Sequence, residues 1–265
     1  MSARPPGRLQ GLCILNTRPR HQQAALQALL QADGARVLSF PTIEIIQAEA
    51  DIFLQTLPTC LPNYQIAIFI SRNAVEGAFA FLGTAPLPQD LRLAVIGAGT
   101  YRALQKKIID LEQRIIRGTT YNSEGLLAVA PLQNVAGKNI IIFRGQPGRT
   151  LLGDTLRNRG ANVRYCEVYR RKYPDYTADA FLKCCRKQFP SLVVLTSREG
   201  MNNLLSLLEP DSRQKLLHCP WLLISERMRE SAVNLGHNAD IIVARKASDA
   251  GIHQAICEWV QSASS

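Results

Sequence analysis

Short apolar runs rich in β-branched residues alternate along the chain with segments whose apolar positions recur at the period of a helix. In residues 21–33, for example, Leu26, Leu29 and Leu30 fall on one helical stripe, and Gly34 follows as a C-terminal stop. Strands alternating with helices are typical of parallel sheets covered by helices, which bind ligands beyond the carboxyl ends of their strands. The predicted strands are 13–16, 37–40, 66–70, 92–96, 114–117, 139–143, 163–169, 192–196, 221–224 and 241–244.

The chain also resembles itself at a shift of 126 residues. Several matches in one order favour an internal duplication, so we expect two similar α/β domains. Any circular shift of the repeat would look the same, and the domain boundaries therefore stay open; the extended stretch 39–45 and its partner 165–171 are the candidate linkers. The matching segments are 14–18 with 140–144, 34–37 with 160–163, 68–72 with 194–198 and, with two more residues of shift, 95–97 with 223–225.

Composition places the chain among globular, basic proteins. Its 265 residues carry 31 Lys and Arg against 21 Asp and Glu, a net charge of +10, and 46% are apolar. No apolar run exceeds five residues, which is too short for a signal peptide or a membrane span, so we expect a cytoplasmic protein. The excess positive charge has three interpretations: a solvated surface that keeps the protein soluble, a binding surface for nucleic acid, or a binding site for a small polyanion. The scarcity of aromatic residues weakens the nucleic-acid interpretation.

Cysteines and histidines predict no metal site. The seven cysteines contain no CxxC and mostly sit in apolar runs, as expected for small buried side chains in a reducing compartment. The four histidines lack the spacing of known ligand motifs. We therefore expect no zinc site.

Polar residues gather where predicted strands turn into helices. Capping of the helix by Ser, Thr or Asn explains part of this pattern. It does not explain arginine, because a cation beside the positive end of a helix dipole is mildly unfavourable unless an anion binds there. The anion interpretation is stronger for Arg18 and Arg144 than for the other two arginines. The corner residues are Arg18, Ser71, Arg72, Asn73, Arg144, Gly145, Ser197, Arg198 and Ser225.

Two further segments have polar chemistry of their own. Gly97-Ala98-Gly99-Thr100 begins like a dinucleotide fingerprint, but Arg102 stands where the third glycine is expected. We interpret it as a tight turn whose amides can hold a carboxylate or phosphate. Tyr121-Asn122-Ser123 predicts a helix start capped by Asn122 or Ser123, with Tyr121 and Ser123 as candidates to face a ligand.

Tyr169 lies in the second candidate linker, beside a basic run at 170–172. One interpretation is an interfacial aromatic residue next to a solvated basic segment. The other is a phenol between two domains that exchanges a proton with bound substrate.

In this order the motifs resemble the uroporphyrinogen-III synthase family, from about Cys13 to Val260. The chain departs from the usual family pattern at Ser225-Glu226-Arg227-Met228. The motifs are Ile-Leu-Asn-Thr-Arg-Pro-Arg (14–20), Pro-Thr-Ile-Glu-Ile (41–45), Phe-Ile-Ser-Arg-Asn-Ala-Val (69–75), Val-Ile-Gly-Ala-Gly-Thr (95–100), Tyr-Asn-Ser-Glu-Gly-Leu-Leu (121–127), Glu-Val-Tyr-Arg-Arg (167–171), Leu-Thr-Ser-Arg-Glu-Gly (195–200) and Ala-Ser-Asp-Ala-Gly-Ile (247–252).

The resemblance implies two parallel-sheet α/β domains joined by a two-stranded linker, with a ligand cleft between them. Domain one would comprise 1–38 and 173–265, domain two 44–167, and the linkers about 39–43 and 168–172. The reaction would be cyclisation of the octacarboxylate hydroxymethylbilane to uroporphyrinogen III, with loss of water and inversion of the last pyrrole ring. It would use no cofactor or metal.

The resemblance also assigns roles to residues. The tyrosine matching Tyr169 is the family's candidate for assisting departure of the hydroxyl group, and the corners matching Ser71, Thr100 and Ser197 hold the tetrapyrrole. The predicted substrate-binding residues are Arg18, Ser71, Arg72, Asn73, Gly97, Gly99, Thr100, Tyr121, Ser123, Arg144, Gly145, Ser197, Arg198 and Ser225.

Two other classes of protein stay open at this point. One is a two-domain regulator that binds an anion or tetrapyrrole without chemistry, and the other is a nucleic-acid-binding protein that uses the basic surface. As partners we expect the small-molecule substrate and a transient contact with the preceding pathway enzyme, but no nucleic acid and no membrane. Nothing in the sequence suggests a large apolar interface, so a monomer is expected.

Overall fold

The computed structural model describes residues 7–118, 120, 122–146 and 148–263. They form two compact units, one built from the chain up to Glu44 and from Lys172 onward, the other from Ile45–Arg171. No helix in the described ranges is long and apolar enough to cross a membrane.

The strands form two parallel sheets, confirming the predicted α/β class. The strands are β1 (Cys13–Asn16), β2 (Arg36–Ser39), β3 (Glu44–Gln47), β4 (Ile66–Phe69), β5 (Arg92–Val95), β6 (Ile115–Arg117), β7 (Asn139–Gln146), β8 (Asn162–Lys172), β9 (Leu192–Val194), β10 (Trp221–Leu223) and β11 (Ile241–Val243). The sheet orders are β11-β10-β9-β1-β2 and β3-β8-β7-β4-β5-β6.

Helices follow most of the strands and cover the sheets. They are α1 (Ala24–Ala32), α2 (Ile52–Gln55), α3 (Leu57–Cys60), α4 (Arg72–Leu82), α5 (Ala98–Gln105), α6 (Leu111–Arg114), α7 (Ser123–Leu127), α8 (Ala130–Gln133), α9 (Leu151–Asn158), α10 (Ala180–Cys184), α11 (Arg198–Leu207), α12 (Pro210–Leu217), α13 (Glu226–Asn234) and α14 (Asp249–Ala263).

Apart from β3, the strands of the two sheets have the same order and register. Ile14 in β1 pairs with Leu192 in β9, and at the 126-residue shift Ile140 in β7 pairs with Ile66 in β4. The first sheet therefore combines β1 and β2 of the first sequence repeat with three strands of the second. The second sheet combines β7 and β8 of the second repeat with three strands of the first and adds β3 at its edge. This common topology is what two copies of one unit would have, and the duplication itself stays a prediction.

Alternation along each strand builds a core on both faces of each sheet. In β4, Ile66 and Ile68 pack in one cluster while Ala67 and Phe69 pack in the other, where the Phe69 and Phe143 rings stack at 4.8 Å. The strand ends, where the chain turns into helices, are thereby held on a rigid scaffold.

Some details of the predicted helices and strands are wrong. Leu29, expected on one helical stripe with Leu26 and Leu30, is 37% exposed, whereas the other two side chains are buried. A 3-10 turn at Arg20–Gln22 precedes the first helix, which begins at Ala24. Gly34 does follow that helix with φ +90°, as a helix stop requires. Arg114 ends α6 instead of starting a strand.

The predicted linker segments contain strand residues. Residues 44 and 45 of the first extended stretch begin β3 (Glu44–Gln47), and residues 168–172 end β8. β3 is the edge strand of the second sheet, and β8 lies beside it. Their pairing depends on partners far along the chain, which a local pattern does not reveal.

Candidate active site

The phenol of Tyr169 is buried in the Ile45–Arg171 unit, near the carboxyl ends of its parallel strands. Its side chain is 2% exposed, and its hydroxyl lies 3.1 Å from the hydroxyl of Ser71. Gly145 packs so closely on the ring that a Cβ built there would lie 2.4 Å from ring carbons. Ring and hydroxyl are therefore both held in place, and a hydroxyl pair that can donate or accept a proton is formed.

Ser71 also caps α4. Its side-chain oxygen accepts a hydrogen bond from the amide of Ala74 at 3.1 Å, as predicted for a Ser at the strand end. The same oxygen thus connects the first turn of α4 with the phenol of Tyr169. Asn73 lies half-buried in that turn.

The start of α5 is open to a ligand. Gly97 caps this helix without a side chain, so the first amides have no capping partner from that residue, and a Cβ at Gly97 would meet nothing within 4 Å. At Gly99 the nearest atom to such a Cβ is Nη2 of Arg72, at 3.9 Å. Thr100, in the first turn of α5, is buried. Helix amides and one guanidinium thus lie near the same space, a combination that favours anions.

The four corner arginines fall into two classes. Arg18 and Arg144 are each 8% exposed and ion-paired, with Asp249 and Glu167 respectively. Arg72 and Arg198, related to each other by the 126-residue shift, have no ion-pair or hydrogen-bond partner within the described ranges. The expectation that Arg18 and Arg144 are the better anion ligands stays a prediction, and the carboxylates that already engage their guanidinium groups count against it.

In the other unit, the corner after β9 repeats the arrangement around Ser71. Ser197 accepts from the amide of Gly200 at 2.9 Å and caps α11, whose first residue is the exposed Arg198. Ser225 precedes α13 but makes no side-chain capping bond. Its half-buried hydroxyl is not committed to the helix.

Two predicted residues lie at the start of α7. Asn122, rather than Ser123, is the cap: its side-chain oxygen accepts from the amide of Gly125 at 2.8 Å. Ser123 is half-buried and not needed for capping. Tyr121 lies outside the described residues.

One group of side chains within the described ranges has the chemistry of a metal site. Ligand atoms of Asp33, His253 and Cys257 all lie within 4.8 Å of one another. Arg8 donates to the same Asp33 oxygen at 2.7 Å, and a metal would have to displace this cation. Burial raises the pKa of Cys257, so its thiol stays protonated at neutral pH. The group is better explained as a hydrogen-bonded connection between α1 and α14.

Sequence reasoning missed the acidic partners of the buried arginines. Glu167 lies in β8 and Asp249 begins α14, 23 and 231 residues from Arg144 and Arg18. The available signal for Glu167 was that it is the one carboxylate in β8 and lies between the apolar Cys166 and Val168. Nothing local indicated Asp249.

Fold and site together define a two-unit parallel α/β protein. Its polar corners include open helix amides, arginines without a partner among the described residues and a buried phenol, as suits an enzyme with an anionic substrate. A family model described as "Uroporphyrinogen-III synthase HemD" matches residues 24–253, and the chain belongs to the uroporphyrinogen-III synthase family. This membership makes it a cyclising lyase of tetrapyrrole biosynthesis that acts on a small molecule.

Named relatives are similar over most of the chain. The uroporphyrinogen-III synthase of Salmonella typhimurium is 36% identical over 251 residues, covering 92% of this chain and 100% of that protein. The enzyme of Escherichia coli is 33% identical over 256 residues, with the same coverage of 92% and 100%.

Solved structures share the fold. A mutant uroporphyrinogen III synthase from Thermus thermophilus superposes with a TM-score of 0.63, at 14% identity, over 95% of this chain and 100% of that one. The uroporphyrinogen-III synthetase of Helicobacter pylori gives a TM-score of 0.60, at 16% identity, over 94% and 99%. At these identities the likeness supports the fold alone.

Proposed function

We propose that this chain cyclises hydroxymethylbilane to uroporphyrinogen III, with loss of water and inversion of the last pyrrole ring. Family membership carries the reaction, and the hydroxyl pair of buried Tyr169 and half-buried Ser71 is the single structural observation that best supports the chemistry. The substrate's reactive terminal carbon can close without an enzyme to the wrong isomer. The enzyme's main task is therefore orientation, with assistance to the departing hydroxyl group.

Tyr169 is the proposed general acid. A phenol can give its proton to a leaving hydroxyl group. The hydroxyl of Ser71, 3.1 Å away, can then donate a hydrogen bond to the phenolate that results. Ser71 is itself oriented by the amide of Ala74, so the pair is already ordered before substrate binds. A proton donor held in one geometry needs less reorganisation in the transition state.

Carboxylates of the substrate are proposed to bind at the helix starts. Gly97, Gly99 and the guanidinium of Arg72 leave an open, donor-lined space at the start of α5. In the other unit, Arg198 beside Ser197 offers a similar cation at a capped helix start. Ser123, Ser225, Asn73 and Thr100 are proposed as further hydroxyl and amide contacts. Arg18, Arg144 and Gly145 are the predicted residues whose surroundings give least access to a ligand.

Further expectations accompany this function. We propose that domain one comprises 1–38 and 173–265, and domain two 44–167, and that the enzyme is a cytoplasmic monomer. A transient contact with the preceding pathway enzyme is proposed as well. A regulator without catalysis has no support from the family to which the chain belongs.

The deciding experiment generates hydroxymethylbilane in situ, adds the protein and separates the uroporphyrinogen isomers by chromatography. We expect the type III isomer to dominate. Dominance of type I, as in the reaction without enzyme, would exclude the proposed activity. A nucleic-acid-binding protein would instead reveal itself by an affinity for nucleic acid that falls steeply with salt.

A further inference from the structure

The register between β7 and β8 breaks immediately beside Tyr169. Arg144 lies opposite Glu167, but the next residue, Gly145, lies opposite Tyr169, so β8 contains one extra residue, Val168. Successive side chains of a regular strand point to opposite faces, whereas a bulge re-aims the residue that follows it. Val168 and Tyr169 accordingly pack in the same core cluster. The bulge therefore sets the direction of the phenol.

An ion pair lies at this break. Arg144 donates from Nε and Nη2 to one carboxylate oxygen of Glu167, at 3.1 and 2.8 Å. Its third nitrogen, Nη1, reaches the carbonyl of Arg149 at 3.4 Å, and the guanidinium stacks on the Tyr165 ring, 4.0 Å from its centroid. All these partners belong to β8 or to the loop after β7. A buried guanidinium with this many partners is fixed in position.

Two glycines allow the close packing around this pair. A Cβ at Gly145 would lie 2.4 Å from the ring of Tyr169, and one at Gly148 would lie 2.9 Å from Nε of Arg144. The loop after β7 is thus pressed against both the arginine and the phenol. Any shift of Arg144 moves the surface on which the Tyr169 ring rests.

We propose that Arg144 and Glu167 are positioning residues that hold the bulge and thereby aim the Tyr169 hydroxyl at Ser71. Arg144 acts through Tyr169 and does not bind substrate carboxylates. This inference rests on the proposed function, in which Tyr169 is the proton donor. It assigns to Glu167 a part in the reaction although its carboxylate does not touch the substrate.

The kinetic test uses Glu167→Gln, which keeps the shape of the side chain and removes its charge. Misplacement of a catalytic group by a fraction of an ångström is costly, so we expect kcat to fall roughly tenfold and KM to change less than about twofold. In a Tyr169→Phe background the same substitution should lower kcat no further, because the phenol that it positions is absent. Glu76→Gln, which removes an exposed carboxylate 3.7 Å from Lys107, is the matched control.

A second readout does not depend on activity. In protein labelled with ¹³C at the tyrosine ζ carbon, the Tyr169 signal is identified by its loss in Tyr169→Phe. We expect Glu167→Gln to shift or broaden this signal and Glu76→Gln to leave it unchanged. Arg144→Lys keeps the charge but loses the two-nitrogen contact with Glu167. We expect it to shift the Tyr169 signal less than Glu167→Gln does, and it replaces Glu167→Gln as the test variant if that variant does not fold.

The outcomes separate this inference from the proposed function. An unchanged Tyr169 signal in Glu167→Gln and Arg144→Lys overturns the inference, whatever the activity. A large rise in the KM of Glu167→Gln that persists in full in the Tyr169→Phe background also overturns it, since that result would make Arg144 a substrate ligand. Full activity of Tyr169→Phe would instead remove Tyr169 from the reaction, while a shifted signal would still support positioning of the ring.

Discussion

Local surroundings decide what each corner arginine can do. The guanidinium nitrogens of Arg144 donate hydrogen bonds to Glu167 and to the carbonyl of Arg149, and Arg18 is ion-paired with Asp249. Arg72 and Arg198 have no such partners among the described residues, so their positive charge is available for a ligand. An unpaired cation near helix amides attracts an anion, whereas a paired one mainly shapes the protein.

Arg72→Gln tests this division. Because a uniform binding contact is lost, we expect KM to rise about three- to tenfold with little change in kcat. Steady-state kinetics with hydroxymethylbilane generated in situ measure both constants. Lys107→Gln, which also removes one cation from this unit, should leave KM near the wild-type value. An unchanged KM in Arg72→Gln would show that this cation does not contact the substrate.

Tyr169→Phe removes the proposed proton donor and keeps the buried ring. We expect kcat to fall by about an order of magnitude, within the range for loss of one acid-base group. Turnover and isomer ratio are measured together, and Tyr64→Phe, elsewhere in the same unit, is the control. A wild-type rate in Tyr169→Phe would mean that another group, or water, protonates the leaving hydroxyl.

His237 makes stability depend on pH. The imidazole is 6% exposed, its Nε2 lies 3.0 Å from the carbonyl of Cys219, and its Nδ1 has no partner within the described ranges. Burial holds the pKa of His237 below its usual value, so the unfolded chain binds the proton more readily than the folded one. The free energy of unfolding should therefore fall as pH drops below about 6.5 and level off below the folded-state pKa.

Urea unfolding between pH 7.5 and 5 measures this dependence. The slope attributable to His237 should disappear in His237→Gln, and the exposed His21→Gln variant should keep it. An identical slope in wild type and His237→Gln would assign the pH dependence to other groups.

At the scale of elements, the start of α5 combines two opposed demands. A side-chain cap would stabilise the helix, but Gly97 leaves the space empty. Its φ of −135° is accessible to any residue, so glycine is not needed for the backbone conformation. An open helix start is what binding of a substrate carboxylate would require.

Gly97→Asp separates stability from binding. An aspartate cap in place of glycine should stabilise the protein by roughly a few tenths of a kcal/mol, while its charge occupies the proposed carboxylate site and raises KM. Thermal unfolding and kinetics report the two effects independently. Gly97→Ala adds no charge and should change KM little. If Gly97→Asp bound substrate normally, carboxylates would have to bind elsewhere.

At the scale of the whole molecule, charge complements the proposed substrate. A net charge of +10 attracts an octacarboxylate over distances that salt limits to about 10 Å at 0.1 M ionic strength. We expect KM to rise with added NaCl between 20 and 300 mM more than kcat falls. Equimolar sucrose, which does not screen charge, is the control. A KM independent of salt would leave the excess charge a role in solubility alone.

Much of this organisation is local and was visible in the chain. All ten predicted strands exist, because the apolar pattern that indicates a buried strand lies within the residues of the strand itself. Ser71 and Ser197 cap helices as expected, since a cap needs only its own turn. Strand β3 was missed because it pairs with the distant β8 at a sheet edge, and nothing in its four residues indicates that partner.

The sequence by itself thus determined the α/β class, the self-similarity at a shift of 126 residues, the polar corners and the family resemblance. Only the tertiary structure decided which corner arginines are available and where the phenol of Tyr169 points. Those properties depend on carboxylates 23 and 231 residues away and on one extra residue in β8. Capping and periodicity act over a few residues, whereas the pairing of charges and the register of a parallel sheet are set by contacts that form only when the chain folds.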